Sequence, residues 1–168
     1  MLSTASHDKT EGPEAFVQSA LFARTFREGM ALVEETASYL DGEGRDAAKE
    51  LGREEALSYA SASMRLTTQL MQIASWLLVI RAVREGEMSL AEAAEKKYRI
   101  EETAEAAMRE GADILPDRLG GLIEASRRLY AQIVRLDKDL FAAGERELSH
   151  TDAAGQQRAL LRAFSQSA

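Results

Sequence analysis

Apolar side chains recur on two faces of one predicted helix in the middle of the chain, around the stretch MRLTTQLMQIASWLLVIRAV that runs from Met64 to Val83. Both stripes follow the helical spacing of three and four residues. The first stripe contains Leu57, Met64, Met71, Ala74 and Leu78, and the second contains Leu66, Leu70, Ile73, Leu77 and Ile80. One face can pack within its own chain and the other on something else. The pattern therefore predicts a central helix from about Glu54 to Glu85 in a protein that works by binding other proteins.

A first helix is predicted before the central one. It begins near Pro13, a residue suited to the first helical turn, and it ends at about Leu40, where the DGEG stretch provides a stop. Residues 45–53 are expected to form a charged connection. The apolar positions that recur on one face of this helix are Phe22, Phe26, Val33, Ala37 and Leu40.

A third helix is predicted from Pro116 to Gly144, with the clearest seven-residue repeat in the chain. The repeat consists of Leu119, Leu122, Ser126, Leu129, Ile133, Leu136 and Leu140, widened by Ile123 and Tyr130. No strand pattern occurs. We therefore expect an all-α fold, an antiparallel three-helix bundle over residues 13–143 with flexible tails at 1–12 and 144–168.

The segment between the second and third helices predicts one or two short helices. Ser89 and Glu92 have the spacing of a capping box, which favours a short helix from Leu90 to Lys97. A second short helix is predicted around residues 100–110. The same segment, 89–108, offers an alternative function, because a capped helix followed by another helix is typical of a helix-turn-helix DNA-binding regulator. Its acidic second helix, with Glu101, Glu102 and Glu105, argues against contact with DNA.

Composition narrows the function classes further. The 168 residues carry a net charge of −7 and include no cysteine, so disulfides and cysteine-ligated zinc are excluded and a nonspecific nucleic-acid surface is disfavoured. The first residues do not resemble a signal peptide, and the longest apolar run is shorter than a membrane span requires. We expect a single cytoplasmic domain.

Candidate chemistry is sparse. The two histidines, His7 and His150, fall in the predicted tails, and the adjacent acidic pairs point in different directions on a helix. We therefore predict no catalytic residues, no metal, no cofactor and no enzymatic activity. A small-molecule-binding bundle would need a sizeable apolar cavity with converging polar groups, for which the sequence gives no sign. The paired glycines Gly120 and Gly121 predict either close approach of another backbone or a mobile first turn.

Two stretches resemble a known family. MRLTTQLMQIASWLLVIRAV followed by EGEMSLAEAA, and LPDRLGGLIEASRRLYAQIVRLD from Leu115 to Asp137, are similar to the RcdA family of bacterial cell-cycle proteolysis regulators. The resemblance implies a dimeric three-helix bundle. It also implies an adaptor that helps the ClpXP protease degrade cell-cycle regulators such as CtrA, together with the response regulator CpdR and the cyclic-di-GMP effector PopA.

Contact residues are predicted on this basis. We expect the second stripe of the central helix to form the dimer or partner interface, and the apolar end of the chain to dock as a tail. The interface prediction comprises Leu66, Leu70, Ile73, Trp76, Leu77 and Ile80, and the tail prediction comprises Leu160, Leu161 and Phe164. For Trp76 the alternative is an anchor in the core. The interface role is considered because a buried indole needs a hydrogen-bond acceptor, which makes tryptophan common at the edges of interfaces.

Overall fold

The computed structural model describes residues 12–100 and 115–165, with side chains up to residue 142. These residues are helical and contain no strand, as the sequence predicts. The α-helices are α1 (Pro13–Val17), α2 (Ala20–Asp41), α3 (Glu43–Lys49), α4 (Arg53–Arg84), α5 (Leu90–Ala93) and α6 (Asp117–Ser165), and a 3₁₀ turn covers Lys96–Tyr98. The long helices α2, α4 and α6 each contact the other two.

The direction of α6 differs from the antiparallel arrangement predicted between neighbouring helices. The contacts between α4 and α6 occur in the same order along both helices, from Gln69 with Ser126 to Trp76 with Asp137. These two helices therefore run parallel. The start of α6 lies instead at the end of α2, where Arg118 pairs with Glu43. Only α2 is antiparallel to its two long neighbours.

The connection between α4 and α6 explains this topology. Residues 85–116 form a link long enough, at about 3.3 Å per extended residue, to return along the whole of α4 before α6 begins. The prediction of antiparallel neighbours assumed a short turn at this point. Part of the returning chain, residues 96–100, lies against the middle of α4, and we call these residues the strap.

The predicted first helix is divided at Ser19. Its hydroxyl oxygen accepts a hydrogen bond from the backbone N–H of Phe22 at 3.2 Å, so Ser19 caps α2 and separates it from the short α1. A single helix from Pro13 to Leu40 is therefore wrong, because a capping serine offers the backbone an alternative to continuing the helix. The predicted stop in DGEG is confirmed, since α2 ends at Asp41.

Gly44 lies at a tight corner directly after α2. It belongs to α3, a helix that overlaps the charged connection predicted at residues 45–53. A Cβ atom at Gly44 would lie 2.6 Å from the Tyr59 hydroxyl and 2.8 Å from the Tyr39 carbonyl oxygen. Burial raises the pKa of the Tyr39 hydroxyl above its ordinary value, and the nearby Tyr59 and Glu43 add to the rise. Close packing around a glycine thus joins α2, α3 and α4.

The capping box at Ser89 is confirmed. The Ser89 hydroxyl oxygen accepts from the Glu92 backbone N–H at 3.2 Å, and the Glu92 carboxylate accepts from the Ser89 backbone N–H at 2.8 Å. The hydrogen bonds that the Ser89 backbone N–H and hydroxyl donate to the Glu92 carboxylate lower the pKa of Glu92. The helix is shorter than predicted because it ends at Ala93, and the second short helix predicted at 100–110 lies almost wholly outside the described residues.

The third predicted helix continues through Gly144 to Ser165, so the predicted end at Gly144 is wrong. One glycine costs a helix only about 1 kcal/mol, which flanking turns can offset. Its predicted core face is largely confirmed, with Leu119, Leu129 and Ile133 fully enclosed, whereas Leu136 is only partly buried. The mobility of 144–168 stays a prediction.

Helix packing uses glycine at a position that the sequence analysis did not single out. A Cβ atom at Gly29 of α2 would collide with the Leu77 side chain of α4, so the absence of a side chain lets these two helices approach. Among the described residues, no atom lies within 4 Å of such a position at Gly120 or Gly121. The close backbone approach predicted for that pair is therefore wrong.

Candidate interaction surface

The inner face of α4 is closed by its own chain. All six side chains predicted for the interface are at most 4% exposed, and they belong to the core shared with α2 and α6, namely Leu66, Leu70, Ile73, Trp76, Leu77 and Ile80. This is a correction to the predicted interface residues, because buried side chains leave no surface for a second molecule. Both stripes of α4 are apolar, so hydrophobicity alone did not distinguish the inner stripe from the outer one.

The outer face of α4 exposes the other predicted stripe. Leu57, Met64, Met71 and Leu78 are 70%, 73%, 65% and 48% exposed, and they follow one another at a spacing of seven residues. We call these four residues the outer stripe. Between Ala56 and Ile80 the sequence contains one charged residue, Arg65. An uncharged row of large apolar side chains over about 31 Å of helix is typical of a contact surface.

Buried polar pairs hold the inner face of α4 to α6. The Ser126 hydroxyl donates to the Gln69 side-chain oxygen at 2.7 Å, and the Trp76 indole N–H donates to an Asp137 carboxylate oxygen at 2.8 Å. Gln69 and Asp137 are 1% and 3% exposed, so both pairs lie in the interior. Buried polar groups with partners fix the register of two apolar helices more strictly than apolar packing does. The core role of Trp76 is therefore the correct alternative.

Arg99 completes the Trp76–Asp137 pair from the strap. Its Nε lies 2.8 Å and 3.0 Å from the two Asp137 carboxylate oxygens, and its guanidinium lies 4.4 Å from the centre of the Phe141 ring. The ion pair compensates the charge of a carboxylate that would otherwise be costly to bury. Sequence reasoning missed Asp137, although an acidic residue in the middle of an apolar helical repeat is a signal for such a pair.

The DNA-binding alternative finds little support in the residues that are described. Its first helix, α5, contains only the four residues Leu90–Ala93, and Arg99 is engaged with Asp137. Residues 101–108, which would supply the recognition helix, lie outside the described part of the chain. A four-residue helix is too short to support a recognition helix in a groove.

The remaining predicted site residues fall where side chains are not described. Leu160, Leu161 and Phe164 lie within the helical backbone of α6, and their contacts stay a prediction, as does the tail location of His7 and His150. In the described ranges 12–100 and 115–142, no three acidic or histidine side chains gather in a way that could hold a metal ion.

Helix α4 is long and apolar enough to cross a membrane by length and composition. The longest apolar run within α4 was predicted to be too short for a membrane span. The core helix of a soluble bundle meets the same test, and the inner face of α4 is buried against α2 and α6.

Comparison with known proteins identifies the family. The family described as "Protein of unknown function (DUF1465)" matches residues 13–164. The crystal structure of RcdA from Caulobacter crescentus CB15 matches with 52% sequence identity and a TM-score of 0.63, covering 76% of this chain and 96% of that one. The chain belongs to the RcdA family. The predicted RcdA resemblance is thus confirmed, while no curated protein sequence gives a significant match.

Membership of the RcdA family changes how the outer stripe is interpreted. An exposed apolar face of this kind fits a protein that contacts other proteins. In this RcdA-family chain the stripe lies on α4, one of the two segments on which the resemblance was based.

Proposed function

We propose that the chain is a non-enzymatic adaptor that regulates ClpXP-dependent proteolysis of cell-cycle proteins, and that it acts in the cytoplasm as a dimer. The observation that carries this proposal is its 52% identity to RcdA over nearly the whole of that protein. An adaptor needs only two contacts, one to cargo and one to the protease or its partners. Holding both raises their effective concentration without chemistry in the adaptor itself.

The outer stripe is the surface that we assign to the second copy. An antiparallel pairing of α4 with its symmetry mate, about an axis between Thr67 and Thr68, places Leu57 opposite Leu78 and Met64 opposite Met71 of the other copy. Each large apolar side chain then faces another. A two-fold interface must be complementary to itself, and this spacing meets that requirement.

Charges at the two ends of the stripe support the same pairing. The axis that matches the apolar side chains also brings Glu54 opposite Arg81 of the other copy. Both lie on the exposed side of α4, and Arg81 already contacts Glu85 in its own helix at 2.8 Å. Opposite charges at both rims favour the antiparallel register over a parallel one, in which like side chains would meet.

Engineered cysteines test this register, because the chain has none of its own. A Leu57→Cys, Leu78→Cys double variant should form a disulfide-linked dimer under mild oxidation, with the 57–78 linkage identified by mass spectrometry. The Leu57→Cys single variant is the matched control, and it should remain uncrosslinked in the antiparallel pairing. Efficient crosslinking of the single variant would contradict the register.

Reconstituted proteolysis tests the adaptor role. Purified ClpXP is supplied with a CtrA-type regulator, a CpdR-like response regulator and a PopA-like effector, with or without this protein. We expect the regulator to disappear faster when the chain is present. An unchanged degradation rate in the complete mixture would overturn the proposed role, whatever the oligomeric state.

A further inference from the structure

A cavity of about 390 Å³ lies between α4 and the strap, and its mouth opens on the exposed side of α4. Thr68, Met71 and Ser75 line the mouth and are exposed there, at spacings of three and four residues that place them on one side of the helix. Met71 is itself a member of the outer stripe. A second copy that covers the outer stripe therefore also covers the mouth of the cavity.

The deeper walls of the cavity are apolar and already held in place. Trp76 and Val79 line it from α4, and residues 96–100 line it from the strap. Trp76 donates a hydrogen bond to Asp137, and Arg99 of the strap forms an ion pair with the same carboxylate. Walls that are fixed in advance lower the conformational cost of receiving a side chain.

Pairing through the outer stripe would close this cavity, so the interface needs a side chain to fill it. An enclosed apolar space loses dispersion contacts along its walls, and native interiors contain few voids larger than a water molecule. The filling group must come from the other copy, because the described residues of the same chain leave the space open. It must also be long and apolar.

Met64 of the other copy meets these requirements. The antiparallel pairing about the axis between Thr67 and Thr68 places it opposite Met71, at the mouth, whereas Leu57 of the other copy lies farther away, opposite Leu78. The Met64 side chain is 73% exposed, so its own chain does not hold it. Methionine is unbranched and has three rotatable side-chain bonds, which suits it to irregular gaps.

Short side chains beside the axis allow the two helices to approach. The Thr67 hydroxyl donates to the Ser63 carbonyl oxygen at 2.9 Å, and the Thr68 hydroxyl donates to the Met64 carbonyl oxygen at 3.0 Å. Both hydroxyls keep these hydrogen bonds when water is excluded, so covering them leaves no donor without a partner. Close approach at Thr67 and Thr68 brings Met64 of each copy to the mouth of the opposite cavity.

We propose that Met64 of each copy inserts into the cavity between α4 and the strap of the other copy. The two-fold axis repeats the contact, so a dimer contains two filled cavities. The strap then forms part of the surface by which the chain recognises itself. This inference rests on the pairing given under the proposed function and deepens it, because it names the inserted side chain and the site that receives it.

Photo-crosslinking tests the insertion directly. A diazirine analogue of methionine replaces Met64 in the full-length chain, which is mixed with isotope-labelled parent so that links between copies are recognised by mass. We expect links from residue 64 to Val79 and to residues 96–100 of the other copy. The same analogue at Leu57 is the matched control, and it should link to the other copy near Leu78 without reaching the strap.

The crosslinks separate a failure of the insertion from a failure of the pairing. Links from residue 64 that are confined to Met71 and its neighbours on the outer face, with none on the strap or Val79, would overturn the insertion and leave the pairing in place. A chain that gives no links between copies would overturn both. Neither result depends on ClpXP, so the degradation assay tests the adaptor role separately.

A size exchange between Met64 and the cavity provides a second test. Ser75→Phe narrows the mouth, and we expect it to raise the dimer dissociation constant about a hundredfold, because two cavities are blocked in each dimer. Adding Met64→Ala removes the side chain that no longer fits, and should restore at least about tenfold of the lost affinity. Sedimentation equilibrium gives the dissociation constants.

The direction of the second change decides the outcome. If Met64 only lies flat against the other copy, then Met64→Ala weakens the Ser75→Phe dimer further, and this result would overturn the insertion. Leu57→Ala in the Ser75→Phe background is the matched control, and it should weaken the dimer because Leu57 does not enter the cavity. Circular dichroism melting should show cooperative unfolding in every variant, since Ser75, Met64 and Leu57 are all exposed within one chain.

Discussion

The inner and outer faces of α4 both carry large apolar side chains, but only the inner face is buried within the chain. The inner face is enclosed by α2 and α6, while the outer stripe, from Leu57 to Leu78, is exposed. The difference lies in the polar residues that accompany each face. Gln69 and Trp76 on the inner face have polar partners on α6, whereas the outer face carries short hydroxyl side chains that bond within their own helix, such as Thr67 and Thr68. Cross-helix polar partners, rather than hydrophobicity, mark the face that the chain closes.

The largest expected effect separates the two faces directly. Ile73→Asp places a carboxylate in a fully enclosed position, and we expect it to abolish cooperative folding, because an unpaired buried charge costs several kcal/mol. Met71→Asp, two residues away on the exposed face, is the matched control and should still unfold cooperatively, since it removes only contacts of the proposed dimer. Circular dichroism melting checks both. A folded Ile73→Asp protein would remove the assignment of the inner face to the core.

A smaller loss of stability is expected when the ion pair between Arg99 and Asp137 of α6 loses its arginine. Arg99→Met removes the partner of the buried Asp137, and we expect a loss of about 3–5 kcal/mol in the free energy of unfolding, because the carboxylate stays buried without its cation. Denaturant titration followed by Trp76 fluorescence gives the value. Arg128→Met, at an exposed arginine of α6, should change stability by less than about 1 kcal/mol. Equal losses in the two variants would contradict a special role for Asp137.

A still smaller effect is expected at the corner where α2, α3 and α4 meet. Gly44→Ala brings a methyl group against Tyr59 and the Tyr39 backbone, and we expect a loss of about 1–3 kcal/mol from overpacking. Thermal melting measures it. Gly121→Ala is the control, since no atom in the described part of the chain lies within 4 Å of the added methyl group and alanine favours a helix by about 1 kcal/mol. Stabilisation by Gly44→Ala would show that the corner can relax.

Much of the fold follows from residue patterns that act locally. The stop after Asp41, the Ser89 capping box and the core register of α6 depend on spacing within one segment, and all three are confirmed. The end predicted at Gly144 failed because a single glycine is a weak helix breaker, and the division at Ser19 was missed because a serine within an amphipathic pattern is ambiguous.

Non-local features were harder to predict. The parallel direction of α6 requires a long connection between α4 and α6, and no single residue spacing specifies that direction. The choice between the two stripes of α4 depends on partners far away in sequence, because Trp76 meets Asp137 and Gln69 meets Ser126 only after α6 has packed. The predicted interface residues therefore lie on the buried face of α4, whereas the surface that we propose for contact is the exposed face of the same helix.

The central claim is that the outer stripe joins two copies of the chain while the inner face holds one copy together. Sedimentation equilibrium of the parent protein and of a Met64→Glu, Met71→Glu variant tests it most directly, with Ala37→Glu at an exposed position on α2 as the control. The account predicts a dimer for the parent and for the control, and a monomer that still unfolds cooperatively for the double variant, because dissociation removes only the stabilisation that dimer formation adds. A parent protein that sediments as a monomer, or a double variant that remains an equally tight dimer, would contradict it.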